Sequence, residues 1–161
     1  MPKVTEAIPD PVLNVKSALT AAGAEDTVRI FEDKVPTAAA AASVLGCEVA
    51  AITNSLIFEL DGKPLLILAS GAARVDTTLV AKLLGTGKIR RAKPDFVLKH
   101  TGQEVGGVAP VGHPNHIRTI LDISLKQHPV LWAGAGDHNS MFSITYGELA
   151  HITHAEPLQV R

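Results

Sequence analysis

The stretch TGQEVGGVAPVGHPN, Thr101 to Asn115, holds four glycines and two prolines and has no helical or strand periodicity. Gly106 and Gly107 permit backbone angles closed to other residues and a close approach to a ligand. Pro110 fixes its own φ and has no amide hydrogen, which stiffens the exit of the loop. A stiff glycine loop can aim N–H groups at an anionic oxygen. In ester hydrolysis that oxygen is the developing oxyanion of the tetrahedral intermediate. The same glycines would also serve a tight crossover, so the loop alone leaves both roles open. A patternless stretch of this length inside a compact fold is functional or disordered. Apolar strands flank it closely, and an ordered loop is expected.

Other chemistries find less support. Gly85-Thr86-Gly87-Lys88 resembles a phosphate loop only superficially: the spacing is wrong and no Ser or Thr follows the Lys. No G-x-S-x-G nucleophile elbow occurs. Cys47 follows a helix-ending Gly at the edge of an apolar stretch, a setting for an inert thiol; as the single cysteine it has no internal disulfide partner. His113/His116 and His151/His154 have the spacing of two ligands on one helical face. However, His113 and His116 flank Pro114 in a loop, and neither pair has a clear Asp or Glu companion. Structural zinc needs four ligands and catalytic zinc three, so no metal and no cofactor is expected.

The elements that must position the loop come from the rest of the 161 residues, a length that suits one domain with a substantial core. With 46% hydrophobic and only 4% aromatic residues, that core is built from Ala, Val, Leu and Ile. Net charge is −1, but Lys82 to Lys99 carries six basic residues (Lys82, Lys88, Arg90, Arg91, Lys93, Lys99) against Asp95 alone. Such a face suits contact with a short piece of phosphate backbone; it also suits a plain solvated surface. No apolar run of about 18 residues is present, and Met1 to Pro11 lacks the pattern of a secretory signal. A cytoplasmic protein is expected.

Asp10-Pro11 reads as a helix start, with Val12, Val15, Leu19 and Ala22 on one face and Gly23 as the stop. Thr27–Phe31 reads as a strand, and Pro36-Thr37 opens an alanine-rich helix ending at Gly46. Ser55–Leu60 and Pro64–Ser70 are strands joined by Asp61-Gly62, a type I′ hairpin signature. Val75–Leu84 reads as a helix with Leu79, Val80, Leu83 and Leu84 inward, and Pro94–His100 as a short one ended by Gly102. Strand patterns resume at Ile117–Leu121, Val130–Ala133, Met141–Thr145 and Leu158–Val160. The order predicts a mixed α/β sheet, partly curled and flanked by several helices.

Five segments in chain order carry a family resemblance. They are Asn54-Ser55-Leu56 within Val49–Phe58, Leu65–Asp76 (LLILASGAARVD), and Ile89–Ala92 with Val97 and Thr101-Gly102. Gly106-Gly107-Val108-Ala109-Pro110 follows, then Ile120-Leu121-Asp122 with Trp132–Gly136. Together they resemble the YbaK/EbsC-type proteins, related to the editing domain inserted in bacterial prolyl-tRNA synthetases. The fourth segment resembles that family's G-x-x-x-P loop.

The resemblance implies one editing-type domain over 1–161, its core at about 12–160 and 1–11 an N-terminal extension. It implies hydrolysis of the ester between a wrong amino acid, of the Ala, Cys, Ser or Thr kind, and the tRNA 3′ adenosine, with tRNA-Pro among the acceptors. A synthetase pocket rejects a smaller amino acid weakly, which is why a second, hydrolytic site is needed. The implied reaction is assisted by the substrate: the free ribose hydroxyl orients the attacking water. Backbone amides of Gly106, Gly107, Val108 and Ala109 would face the carbonyl, with His113 beside them. Asn54, Ser70, Gly71, Pro110, Gly112, Gly134 and Met141 would line the substrate pocket. Lys82, Lys88, Arg90, Arg91 and Lys93 would hold tRNA. The implied partners are the 3′ acceptor end of aminoacyl-tRNA and an aminoacyl-tRNA synthetase, with no DNA and no membrane.

Two positions depart from the family. Many relatives have Lys where Asn54 stands, so Asn54 plays a modified role or another base such as Arg74 replaces the charge. The synthetase-linked domains carry His near Met141. These departures keep open a non-catalytic module that binds a tRNA end or an aminoacyl ligand. A metal hydrolase using the histidines is a third, weaker alternative.

Overall fold

The computed structural model describes residues 8–161; the expected extension is described only from Ile8 onward, and residues 1–7 lie outside the described residues. Helix α1 spans Asp10–Ala21. Its cap residue is Pro9 rather than Asp10, because the carbonyl of Pro9 already accepts from the amides of Val12 and Leu13. Val12, Val15 and Leu19 are buried as expected, whereas Ala22 is the exposed residue that caps the other end. Strand β1 is only Arg29–Ile30. It is shorter than its sequence suggests because the Thr27 hydroxyl takes over the next pairing. That hydroxyl donates to Ser143 O at 2.6 Å and accepts from Ser143 N at 3.0 Å.

Helix α2 (Ala38–Leu45) starts at Thr37, whose hydroxyl accepts from Ala40 N at 3.0 Å. A 3-10 turn, Val49–Ala51, leads into β2 (Ile52–Leu60), and β3 (Lys63–Ser70) folds back on it. Asp61 and Gly62 have φ of 52° and 79°, the paired positive angles that a type I′ turn requires. Helix α3 (Thr77–Leu84) begins two residues after Val75 because the Asp76 carboxylate caps Leu79 N at 3.0 Å. Val80 is fully buried, but Leu83 is 47% exposed and does not face inward as expected.

Strand β4 (Ile89–Arg91) precedes α4 (Pro94–Thr101). After the glycine-rich loop come β5 (Arg118–Asp122), a 3-10 turn at Ile123–Gln127, β6 (Leu131–Gly134) and β7 (Ser140–Ile144). Helix α5 (Tyr146–Thr153) and β8 (Glu156–Leu158) complete the chain. Strand β8 lies two residues before the expected Leu158–Val160. Beyond it, Val160 leaves the sheet to pack with Val80, and its carbonyl accepts from Asp76 N at 2.7 Å.

The sheet has 8 strands in the order β1-β7-β6-β2-β3-β5-β8, with β4 also paired to β2. It is mixed: β6 is parallel to β2, β3 to β5 and β5 to β8, and the other pairs are antiparallel. Its ends, β1 and β8, do not meet, so the sheet is open rather than partly curled.

Strand β2 pairs with β3 along its whole length, but its other edge is shared. Strand β6 takes Ile52 and Thr53, and β4 takes Phe58 to Leu60. Among the described residues, 54–57 have no strand partner on that edge, a gap of roughly 13 Å at strand rise.

Alternation along the strands sends two sets of side chains to opposite faces. On one face Ile57, Leu66, Leu68, Leu121, Leu131, Ala133 and Phe142 pack with Val15 and Leu19 of α1, Val97 of α4 and Leu149 of α5. On the other, Phe58, Leu65, Ile67 and Ile120 meet Val80 of α3, while Ile52 and Met141 meet Ala41 and Ala42 of α2.

Candidate active site

The glycine loop leaves α4 and is folded back on itself by one side chain. Gln103 is buried, and its Oε1 accepts from Ala109 N at 2.8 Å while its Nε2 donates to Val111 O at 3.2 Å. The Thr101 hydroxyl holds Gln103 in turn, accepting from its backbone N at 2.9 Å. A second latch closes the same turn: His113 Nε2 lies 2.8 Å from Ala109 O. A carbonyl oxygen only accepts, so Nε2 carries the hydrogen. Burial pushes the His113 imidazole below the usual histidine range and nearby His116 adds to this, against the bond to Ala109 O. A neutral ring with Nε2–H follows.

These bonds settle which amides are occupied. Ala109 N is taken by Gln103, and Gly107 N donates to Glu104 O at 2.8 Å. Among the described residues, the amides of Gly106 and Val108 have no protein acceptor. The loop therefore offers a narrower donor set than four consecutive amides.

The β6–β7 hairpin backs the loop. A Cβ on Gly107 would lie 2.9 Å from the Cα and C of Asp137, so only glycine fits there unless the hairpin shifts. A Cβ on Gly134 would lie 3.0 Å from Val108 O. Asp137 organises this hairpin: its Oδ1 accepts from Asn139 N at 3.0 Å and from Ser140 Oγ at 2.6 Å. Gly112 sits at φ 87° against Val15 of α1, with its Cβ position 3.0 Å from Val15 N. Val108 and Ala109 themselves are buried in the main core cluster, and Pro110 is buried beside them. Pro110, Gly112 and His113 also line a small, partly open cavity of about 120 Å³ together with Ile152 and Thr153 of α5.

Gly134 brings the loop to the gap in the β2 edge, because β6 ends where Asn54 begins the unpaired stretch. Asn54 is half-buried there, and Leu56 is 37% exposed. Thr53 Oγ1 and Ser55 Oγ, on the other face of β2, are buried without a hydrogen-bond partner among the described residues. Met141 lies on the Asn54 face, packed with Ile52, Ala41 and Ala42. Sequence reading gave no role to Gln103, Thr53, Ser55 or Asp137. A glutamine at the mouth of a glycine loop was the available signal for Gln103.

Two expected pocket residues serve the framework. Ser70 is buried, its N donates to Asp122 Oδ2 at 3.0 Å and its hydroxyl to Ala50 O at 2.8 Å. Gly71 has no room for a side chain: its Cβ position is 2.6 Å from Val49 O and 2.9 Å from Ala38 Cβ. Both tie the end of β3 to the turn before β2.

The basic residues form a separate feature. Lys88, Arg90, Arg91 and Lys93, joined by Lys99, line an open groove of about 790 Å³ with Phe96, Glu59 and Asp95. Lys82 is exposed on α3 and does not line it. Among the described residues none of these cations is in an ion pair. The histidines do not converge: His116 and His154 meet edge to face at 5.9 Å, and no group of three His, Cys, Asp or Glu among the described residues is placed to hold a metal.

An open mixed α/β sheet, an internally latched glycine loop and a nearby basic groove define an editing-type domain. Residues 32–152 match the family described as the aminoacyl-tRNA editing domain. A protein of Bacillus subtilis (strain 168), YwhH, described as uncharacterized, is 33% identical over 141 residues, covering 87% of this chain and 89% of that protein. The proline–tRNA ligase of Nitratidesulfovibrio vulgaris (Hildenborough) is 29% identical over 123 residues, 70% of this chain but only 21% of the ligase.

Among solved structures, one described as a candidate trans-editing enzyme for prolyl tRNA synthetase superposes with a TM-score of 0.89 at 31% identity, covering 96% of this chain and 99% of that one. Hypothetical protein APE2540 superposes at 0.84 with 28% identity, covering 91% and 98%. The chain belongs to the aminoacyl-tRNA editing domain family, the YbaK-type proteins related to the editing domains of prolyl-tRNA synthetases.

Proposed function

We propose that this protein is a cytoplasmic, trans-acting deacylase that hydrolyses a small amino acid, of the Ala, Cys, Ser or Thr kind, from mischarged tRNA. The observation that carries the reading is the glycine loop with two free amides, Gly106 and Val108, held rigid by Gln103 and His113. Donors fixed before the reaction cost no reorganisation as charge develops, and each is worth about 10²-fold or more in rate. The ester carbonyl sits over the loop with its oxygen on these amides, and its aminoacyl end lies along the gap at Asn54–Ile57. The free ribose hydroxyl orients the attacking water, which adds to the carbonyl carbon. Collapse of the intermediate breaks the bond to the ribose oxygen, which leaves carrying one of the two protons of the water; the other passes to solvent, and the amino acid departs as its carboxylate. His113 acts here as a positioning residue, since its Nε2–H is already spent on the loop.

The test is a deacylation assay with Ala-, Cys-, Ser- and Thr-tRNA on proline and neighbouring acceptors, alongside cognate pairs. Release of one non-cognate amino acid with cognate esters spared is expected. Gly107→Val, which forces the loop off Asp137, should lower turnover by about 10²-fold or more and leave tRNA affinity in place. The neutral Asn54, at a position where the family resemblance implies Lys in many relatives, favours a second reading, a non-catalytic module for the tRNA end. No release from any pair, with tRNA still bound, would establish that reading instead.

A further inference from the structure

The basic groove carries an aromatic wall as well as charge. Phe96 is half-buried; one side packs on the main core cluster and the other lines the groove, with its ring 4.4 Å from that of His100. Around it stand five cations, Lys88, Arg90, Arg91, Lys93 and Lys99, against the two carboxylates of Glu59 and Asp95. Duplex phosphates need only the charge. Unpaired nucleotides use both parts, because bases stack on aromatic rings while cations track the backbone.

Helix α4 fixes how far the groove lies from the loop. Lys93, at its N-terminal cap, and Phe96 and Lys99 within it line the groove; Thr101 ends it and holds Gln103, which is bonded to Ala109. From Phe96 to Thr101 the helix rises about 7.5 Å. At about 3.4 Å per stacked nucleotide that is roughly two, so a base on Phe96 stands within a few nucleotides of the loop.

We propose that the groove binds the unpaired nucleotides that precede the esterified end of the RNA, with Phe96 as the stacking surface for one base and the surrounding cations on its flanking phosphates. The assignment rests on the deacylase reading for the identity of the RNA, but on the groove alone for its single-strandedness. The protein recognises the unpaired end by stacking as well as by charge.

Affinities of the full chain for a fluorescent RNA hairpin with a four-nucleotide 3′ overhang, and for the same hairpin with a blunt end, test this. The overhang is expected to raise affinity roughly tenfold or more. Phe96→Leu keeps apolar volume against the core but removes the ring, and should cost most of that preference. Lys99→Ala, on the exposed side of α4, should weaken overhang binding without touching the core. Equal affinity for both hairpins, or a preference left intact by either variant, overturns the assignment and leaves a duplex or acidic-protein surface in its place. If the overhang preference holds but no mischarged tRNA is hydrolysed, the groove assignment stands and the deacylase reading falls. If hydrolysis proceeds while the hairpins bind alike, the reverse is true.

Discussion

His113 shows what a single residue contributes to the site. Its folded-state pKa lies below the ordinary 6.5 through burial first, so the unfolded chain binds more protons just below that value. The stabilisation is fully present above about pH 6.5 and is lost as pH falls through the lower folded value. Denaturant midpoints should fall as pH drops below 6.5, and His113→Gln should flatten that dependence relative to the parent. An identical slope in both would remove His113 from the latch. At this scale the sequence displayed the glycines but not the accounting of their amides. Gly106 and Gly107 are visible as letters, yet whether an amide is free depends on Gln103 reaching back to Ala109 and Val111, a fold-back that no local pattern encodes. The framework contacts of Ser70 and Gly71 were hidden for the same reason: their partners Asp122, Ala50, Val49 and Ala38 are distant in sequence.

Among the elements, those whose ends are decided locally were legible. Thr37 caps its helix, and Gly46, Gly85 and Gly102 stop theirs, each within a turn of the residues that define it; the Asp76 cap was overlooked, and the expected start at Val75 fell two residues early. The Asp61-Gly62 turn is the strongest case. No atom lies within 4 Å of where a Gly62 Cβ would stand, so Gly62→Ala meets no clash and only the strain of φ 79°. Equilibrium unfolding should show a loss of about 1 kcal/mol, and no loss would mean the turn had changed type. Helix α5 was missed although Thr145 and Glu148 form a capping pair, with Glu148 N donating to the Thr145 hydroxyl at 3.2 Å. Short strands were the least legible, since Ile89–Arg91 and Glu156–Leu158 exist only because β2 and β5 offer an edge.

For the whole molecule, a net charge of −1 conceals a groove with five cations and two carboxylates. Binding to tRNA should therefore weaken steeply with salt. Arg90→Ala should reduce the slope of log affinity against log salt by about 0.7 to 0.9, whereas Lys82→Ala, off the groove, should leave it unchanged. Equal effects from both would mean a diffuse field rather than a track. The mixed sheet was readable from the order of patterns; its openness and the gap in β2 were not, because they depend on where β6 and β4 stop. The same topology sets a schedule. The β2–β3 hairpin closes between neighbours, but the backing of the glycine loop is Asp137 in the β6–β7 hairpin, whose outer strand β7 pairs Met141 with Arg29. Such distant pairings are slow to form and come late. A chain growing from its N-terminus holds the loop before it holds the Asp137 hairpin that shapes it, so the loop is expected to take its final form only once β6 and β7 have been made.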